Sequence, residues 1–534
     1  MIQAWKRCLI FVAVAALPLG CQSRNYTVPS PSSFNRNPNW VSAPSAQADG
    51  LAVKQTSYRL GDEELPNTNE LQRLPAPEEL PGTPPQTSEL QLSDVIRSVQ
   101  AAYPLLVSAS LERQVAEGKQ ITARGEFDLR AKAFGIAAPE GFYKTYRNGV
   151  AIDQPLFQGG YVYGGYKIGR GNFQPWFKER ETDEAGEFSA GVGLPLLKDR
   201  AIDQRRATLF QSNVARQAVE PNVRGQLLEF VRQASQAYWI WVASGQAYDA
   251  QRELLQNAQE RVRQIEERIK AGDLEKITRI NNERLIATRQ TKVIESQRKL
   301  QQASIKLSLF YRDPNGKPTI PDSSRLPKDF PQHQAPDTQR FQQDLATALK
   351  ASPMLAKLDL IAEQVRIDQR KAENSLLPKL DAQVLASKDV GTPASSKGDK
   401  IPFELEAGFY GEVPLQRRQA RGKIRTAQGK LAQIHAKRQF VVDKITAAVQ
   451  DAYSALEAAA GRIEQSRNNL RLARETLELG RLQFNEGDID LIDLNIYEKA
   501  VTDAQFLLIF AEADFFSALA DYRAALALAP EITE

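Results

Sequence analysis

The segment RIKAGDL at residues 268–274 recurs in altered form as LQFNEGDI at residues 482–489. A shift of 215 residues superposes the two Gly-Asp pairs, and it also brings Glu283 onto Glu498. A match that extends well beyond one motif at constant spacing indicates an internal repeat. The duplicated Gly-Asp turn therefore indicates that the chain contains two copies of one structural unit.

Two further matches extend the repeat toward the N-terminus. AYPLL at 102–106 matches ASPML at 351–355 with a shift of 249, and GLPL at 193–196 matches EVPL at 412–415 with a shift of 219. The falling shift predicts a longer insertion in the first copy, between its early and middle parts. We assign the repeats to 89–311 and 338–534, joined by a loop rich in Pro and Gly at 312–337.

Each repeat is predicted to hold a helix of about 35 residues, a β-hairpin, a very long helix, a Gly turn and a final helix. The second long helix lacks Pro from 416 to 484 and would span about 100 Å. Its apolar residues alternate steps of three and four, which is typical of a coiled-coil seam. A second stripe, with Leu472 and Leu479, favours neighbours on both sides, as in a tube, over a simple helical hairpin.

The strand segments alternate between apolar and polar residues. In one of them Phe403, Leu405 and Ala407 alternate with Glu404 and Glu406. This period of two fits a half-buried sheet in water and equally fits the wall of a membrane barrel. Two hairpins supply four strands per chain, which is too few to close a water-filled barrel, so a barrel would require several chains.

The N-terminus is predicted to be an export signal. Lys6 and Arg7 precede a 12-residue apolar run, which is too short to span a bilayer. Gly20-Cys21 then resembles a bacterial lipidation site, although Pro18 departs from its pattern and ordinary cleavage within 13–16 is the alternative. We expect a signal peptide at 1–20, a covalent lipid on Cys21 and a Pro-rich tether at 21–88.

Composition narrows the function classes. The 534 residues include two His and two Cys and have a net charge of +4, so an N/S metal site, a disulfide framework and a nucleic-acid partner are not indicated. The Gly-rich stretch at 159–165 lacks the Gly-Lys-Ser/Thr ending of a phosphate-binding loop. It is interpreted as the hairpin and loop insertion of the first repeat, and no enzymatic motif or cofactor site is identified.

In its body, 89–530, the sequence resembles the TolC-like outer membrane efflux proteins. The resemblance depends on QPLFQGG at 154–160, the strand-to-helix junctions at Pro195 and Pro414, the two Gly-Asp turns and NEGDIDLIDL at 485–494. It implies a mainly α fold: a homotrimer whose long helices form an α-barrel in the periplasm and whose four strands per chain form a 12-stranded β-barrel in the outer membrane. Cys21, followed by Gln22 rather than Asp, would be the lipid anchor in that membrane.

The resemblance also implies functional residues. The tip turns, with Gly272, Asp273, Leu274, Gly487 and Ile489, would contact a periplasmic adaptor protein. Asp493 matches the family's entrance acid, and Asp490, Asp488 and Glu486 would add negative charge there. Two positions that are acidic in some members are Ile496 and Thr278 here, which argues against several acidic rings. For the acids other than Asp493, the alternative is that they are solvated turn residues that favour the N-terminus of a helix.

We therefore expect a passive export duct that receives substrates from an inner-membrane pump, of RND or ABC type, through an adaptor. A lipid-tethered coiled-coil adaptor or scaffold is the alternative, and a hydrolase on a helical scaffold is disfavoured because no site is found. The cargo and the class of pump stay open.

Overall fold

A computed structural model describes residues 89–174, 181–333, 337, 340–394 and 401–528. The predicted signal peptide, the lipidation site Cys21 and the tether lie outside the described residues. In the described part, no helix combines the length and the hydrophobicity needed to cross a membrane.

The two repeats follow one plan with one exception. The first contains α1 (Leu92–Ala102), α2 (Pro104–Gly125), β1 (Arg130–Ala138), β2 (Thr145–Pro155), β3 (Tyr161–Gly171), β4 (Glu187–Pro195), α3 (Gln204–Ala271) and α4 (Lys276–Leu307). The second contains α5 (Phe341–Ala351), α6 (Pro353–Asn374), β5 (Lys379–Asp389), β6 (Phe403–Glu412), α7 (Arg418–Glu486) and α8 (Leu491–Ala525). The exception is the pair β2 and β3, which has no counterpart among the described residues of the second repeat.

The mainly α fold class is confirmed, and two details of the prediction are wrong. The first helix of each repeat is broken in two, because Pro104 and Pro353 force the preceding Tyr103 and Ser352 out of the helical region, with ψ of 117° and 116°. The second error is the strand count. The described residues form six strands rather than four, since the insertion in the first repeat folds as a complete hairpin, β2–β3.

The six strands form one antiparallel sheet in the order β1-β2-β3-β4-β5-β6. The register places apolar side chains from all six strands on one face, and nearly all the charged ones on the other. The apolar face includes Ala133, Val150, Ile152, Val162, Phe188, Val192, Val384, Leu405 and Phe409. The polar face includes the cross-strand ion pairs Lys132–Asp153 and Lys167–Glu187, each 3.0 Å long.

The helices pack side by side. The long helices α3 (68 residues) and α7 (69 residues) each pack against the helix that follows them, and α3 also contacts α2, α6 and α8. The largest buried cluster lies midway along, where Trp241 of α3 and Phe515 of α8 are enclosed and Trp241 Nε1 donates to Ser304 Oγ. The tips of the helices therefore extend well away from the main core.

Candidate functional site at the helical tips

The two predicted tip turns have the same backbone geometry. Gly272 ends α3 with φ +87° and Gly487 ends α7 with φ +88°, in the left-handed region that glycine adopts without strain. The next amide in each turn donates to a carbonyl five residues earlier: Asp273 N to Arg268 O at 2.9 Å and Asp488 N to Gln483 O at 2.8 Å. Each helix thus stops by satisfying its last carbonyls, and the chain reverses into α4 or α8.

Asp490 has a structural role in the second turn. Its carboxylate accepts hydrogen bonds from the backbone N–H groups of Ile492 (2.7 Å) and Asp493 (2.9 Å), so it caps the N-terminus of α8. Glu275, the residue at the start of α4, makes no such side-chain bond. The alternative interpretation of the tip acids as helix caps therefore holds for Asp490.

The two turns lie side by side around one small apolar cluster. Its buried members come from three helices: Ile265, Leu477, Phe484, Leu491 and Leu494. Leu274 from the first turn and Ile489 from the second both pack against it. The structure thus brings together residues that are 215 positions apart. The two turns are joined because Leu274 and Ile489 pack against the same cluster.

Arg268 links the turns by a second contact. Its guanidinium donates from Nη1 to the carbonyl oxygen of Phe484 at 3.2 Å and lies 5.3 Å from the centre of the Phe484 ring. Phe484 is in the last turn of α7, at the negative end of the helix dipole, where a cation is favourable. A basic residue of the first turn therefore stabilises the end of the helix in the second.

Charge is distributed unevenly between the turns. Around the first turn, Asp273 and Glu275 are balanced by Lys270 and Lys276. The second turn, over residues 486–493, contains acids and no basic residue: Glu486, Asp488, Asp490 and Asp493, all exposed. Asp493 lies in the first turn of α8, and its side chain is exposed. Ile492 and Ile496 beside it are also exposed, which limits the acidic surface to one short arc.

Sequence reasoning missed a buried ionic cluster further from the tip. Glu498 of α8 accepts hydrogen bonds from Arg261 of α3 and Arg289 of α4, and all three side chains are buried. Arg289 also donates to Leu254 O (2.6 Å) and Asn495 Oδ1 (2.7 Å). The sequence does contain an indication of this cluster. Arg261 takes a position in the apolar stripe of α3 that otherwise contains Leu254, Ala258 and Ile265.

Burial lowers the pKa of Arg289, and the Glu498 carboxylate opposes that shift. Two guanidinium groups face one carboxylate, and one nitrogen of Arg261, Nη1, is buried without a hydrogen-bond partner. The cluster joins α3, α4 and α8 through the Glu498 side chain.

The predicted strand-to-helix junctions lie at the opposite end of the long helices. Pro195 is the last residue of β4. Pro414 follows β6 and precedes α7. In the first turn of α3, the buried Arg206 donates to the carbonyl oxygens of Asp199 and Arg200 in the connection from β4, which holds that loop against the start of α3. The junctions and the tips are thus two separate ends of each repeat.

No protein-family model and no curated protein matches the sequence. Solved structures do match: the outer-membrane channel OprN (TM-score 0.59, 14% identity) covers 83% of this chain and 91% of its own. The fold is that of an outer-membrane channel. The resemblance found in the sequence is thereby confirmed at the level of the fold.

Two other outer-membrane channels support the same assignment. CmeC of Campylobacter jejuni has a TM-score of 0.58 and 12% identity, over 90% of this chain and 94% of its own. MtrE of Neisseria gonorrhoeae, solved in an open state, has a TM-score of 0.58 and 14% identity, over 83% and 90%. The outer-membrane channel fold therefore extends over most of the chain.

Proposed function

We propose that this protein is the outer-membrane channel of a tripartite efflux or type I secretion system. As a homotrimer it would passively conduct substrates from an inner-membrane pump, of RND or ABC type, through a periplasmic adaptor to the exterior. The channel fold, the amphipathic sheet and the long helices with an acidic tip support this function. The helical part would lie in the periplasm, and Cys21 would attach a lipid to the outer membrane.

The apolar face of the sheet carries most weight in this proposal. Leu405 and Phe409 on β6 are 66% and 77% exposed, and Val150 on β2 is 57% exposed. Exposed apolar patches larger than a few hundred Å² are rare on proteins that contact only water. A face that is apolar across six strands, opposite a charged face, is what a wall between lipid and an aqueous lumen requires.

The alternative function, a lipid-tethered adaptor or scaffold, does not explain why the sheet has an exposed apolar face. A scaffold needs its helices to bind partners, and its sheet would be stabilised by covering the apolar side with protein. In the described residues, none of the helices covers that side of the strands. The tip acids also fit a channel, since negative charge around a pore attracts cations.

Conductance in planar lipid bilayers tests the proposal. The purified protein should insert and give discrete conductance steps. Val384→Arg, at the middle of β5 on the apolar face, should reduce insertion strongly, because a charge at the bilayer centre costs about 2–4 kcal/mol. Gln383→Arg, its neighbour on the polar face, should insert normally. Protein that leaves membranes without detergent once its lipid is removed, and that never conducts, would favour the scaffold.

A further inference from the structure

The inserted hairpin can be located by the internal repeat. α1 and α2 end 249 residues before α5 and α6, and β1 begins 249 residues before β5. After the insertion the shift is 219, since Pro195 matches Pro414. β1 therefore corresponds to β5 and β4 to β6, and the thirty extra residues are β2–β3 and their connections. This equivalence also preserves the faces: Ala133 and Ala382 both lie on the apolar side.

The hairpin is part of the wall and not a loop beside it. β2 and β3 are each 11 residues long, enough to cross a membrane as tilted strands. Val150 and Val162 lie on the same face as the apolar residues of β1 and β4, in a continuous ladder. At the helical end, the Phe157 ring of the β2–β3 turn contacts Phe127 and Phe210, at 5.7 and 6.4 Å between centres.

The two edges of the sheet lack partners within the described part of the chain. β1 is bonded only to β2, and β6 only to β5. In a bilayer the free N–H and C=O groups of such edges must be paired. The polar faces of the two edges carry opposite charges at the helical end of the sheet, with Arg130 and Lys132 on β1 and Glu412 on β6.

The pairing of β4 with β5 supplies a template for the missing contact. Because β4 corresponds to β6 and β5 to β1, the internal pair Ala190–Ala386 maps onto Phe409 and Ala137. The same transposition sets Tyr410 opposite Ile136 and Gly411 opposite Gly135. It places Glu412 diagonally next to Lys132, within reach of a cross-strand ion pair.

We propose that β6 pairs with β1 of a neighbouring copy in the β4–β5 register, so that three copies close an 18-stranded barrel. This inference rests on the proposed homotrimeric channel. Because barrel diameter grows roughly linearly with strand number, the opening would be about 1.5 times as wide as that of a 12-stranded barrel. The inserted hairpin thus sets the width of the outlet.

Disulfide cross-linking of the full-length protein in membranes tests the register. Ala137→Cys with Phe409→Cys should shift the protein from monomer to dimer and trimer bands on a denaturing gel under oxidising conditions. Ala137→Cys with Phe403→Cys, on the same face but six residues away along β6, should leave it monomeric. Ala190→Cys with Ala386→Cys is the positive control, because it should cross-link within one chain. The unmodified chain, with Cys8 and Cys21 only, provides the background.

The outcomes separate this inference from the proposed function. A ladder that ends at the trimer for the 137/409 pair alone supports the 18-stranded barrel. A detergent-stable trimer that cross-links only through the 137/403 pair, or through neither pair, overturns the register while the trimeric channel stands. A ladder that ends at another size overturns the strand count. A protein that is monomeric in membranes overturns both proposals.

Discussion

The carboxylate of Glu498 on α8 lies 2.8 Å from the guanidinium of Arg289 on α4, and both side chains are almost entirely enclosed. Arg261 of α3 donates to the other oxygen of the same carboxylate. Three helices of the two repeats therefore meet at one negative charge. The matching position in the first repeat, Glu283, is instead exposed and lies 3.7 Å from Arg279 on its own helix.

Replacing Glu498 should weaken this junction. Glu498→Gln leaves two buried guanidinium groups without a counter-charge, and breaking a buried pair in this way destabilises by about 3–5 kcal/mol. Glu283→Gln, its repeat-related control, removes only a surface pair and should change stability by less than about 0.5 kcal/mol. Thermal unfolding followed by circular dichroism measures both. Equal effects of the two substitutions would show that the buried cluster adds nothing to stability.

The tip glycine of α7 should resist substitution. Alanine at Gly487 has open space around its added Cβ but must adopt φ +88°, so Gly487→Ala should destabilise by about 1–2 kcal/mol through the backbone alone. Gly461→Ala provides a control of opposite sign. It lies in the interior of α7 with no atom near the added Cβ, and should stabilise the helix by about 0.5–1 kcal/mol. The same melting assay compares them, and stabilisation by both would contradict a left-handed requirement at the tip.

Stability should fall in acid partly through Glu229. Hydrogen bonds from Arg232 lower the pKa of Glu229 below its ordinary value of 4.5, against the opposing effect of burial. Because the folded-state pKa is the lower one, the stabilisation is complete above about pH 4.5 and is lost as the pH falls through the folded-state value. Glu229→Gln should flatten the fall in melting temperature between about pH 6 and pH 3. Glu464→Gln, on the exposed face of α7, should retain the wild-type slope.

Asp493 should affect ion selectivity. If the acidic turns surround the entrance, Asp493→Asn removes one negative charge per chain and should move the reversal potential in a KCl gradient toward zero. Raising the salt concentration should diminish the difference, since exposed charges are screened within about 10 Å at 0.1 M. Glu464→Gln again provides the control. An unchanged reversal potential for Asp493→Asn would remove this residue from the pore.

The lipid on Cys21 also has a direct test. Cells fed labelled palmitate should incorporate the label into the wild-type protein, and Cys21→Ala should abolish incorporation. Cys8→Ala is the matched control, since this residue lies within the predicted signal peptide and should not alter labelling. Label that persists in the Cys21→Ala protein would favour another site of attachment, and no label in either would favour ordinary cleavage within 13–16.

Much of the fold could be predicted because repetition exposes long-range relationships that composition does not. The long helix expected from 416 to 484 is observed as Arg418–Glu486, since an uninterrupted apolar stripe without Pro has few other ways to fold. The Gly turns were equally clear, because glycine is the residue that ends such helices in the left-handed region. The break before Pro104 is harder to predict. Pro is tolerated at the first position of a helix, so the residue alone does not show whether one helix ends there and another begins.

Tertiary features were harder to predict. The extra strands were inferred as a Gly-rich insertion, but alternating residues alone do not reveal which strand pairs with which. Arg268 gave no local sign that it would lie over Phe484, because its partner is 216 positions away. The cap formed by Asp490 was predictable in kind, as an acid before a helix. The surroundings of the other tip acids are set by neighbouring copies in the proposed trimer, which the pattern of one chain does not encode.

The β2–β3 insertion shows how strands can be added to a sheet of this kind. Strand direction alternates across the sheet, so a single added strand would leave the chain at the end of the sheet opposite to the one where α3 begins. Adding a pair returns the chain to its starting side, and β4 leads into α3 just as β6 leads into α7. If the sheet forms the proposed barrel, hairpins are thus the unit by which the width of its opening can change during evolution or engineering, while the helices keep their number, length and partners.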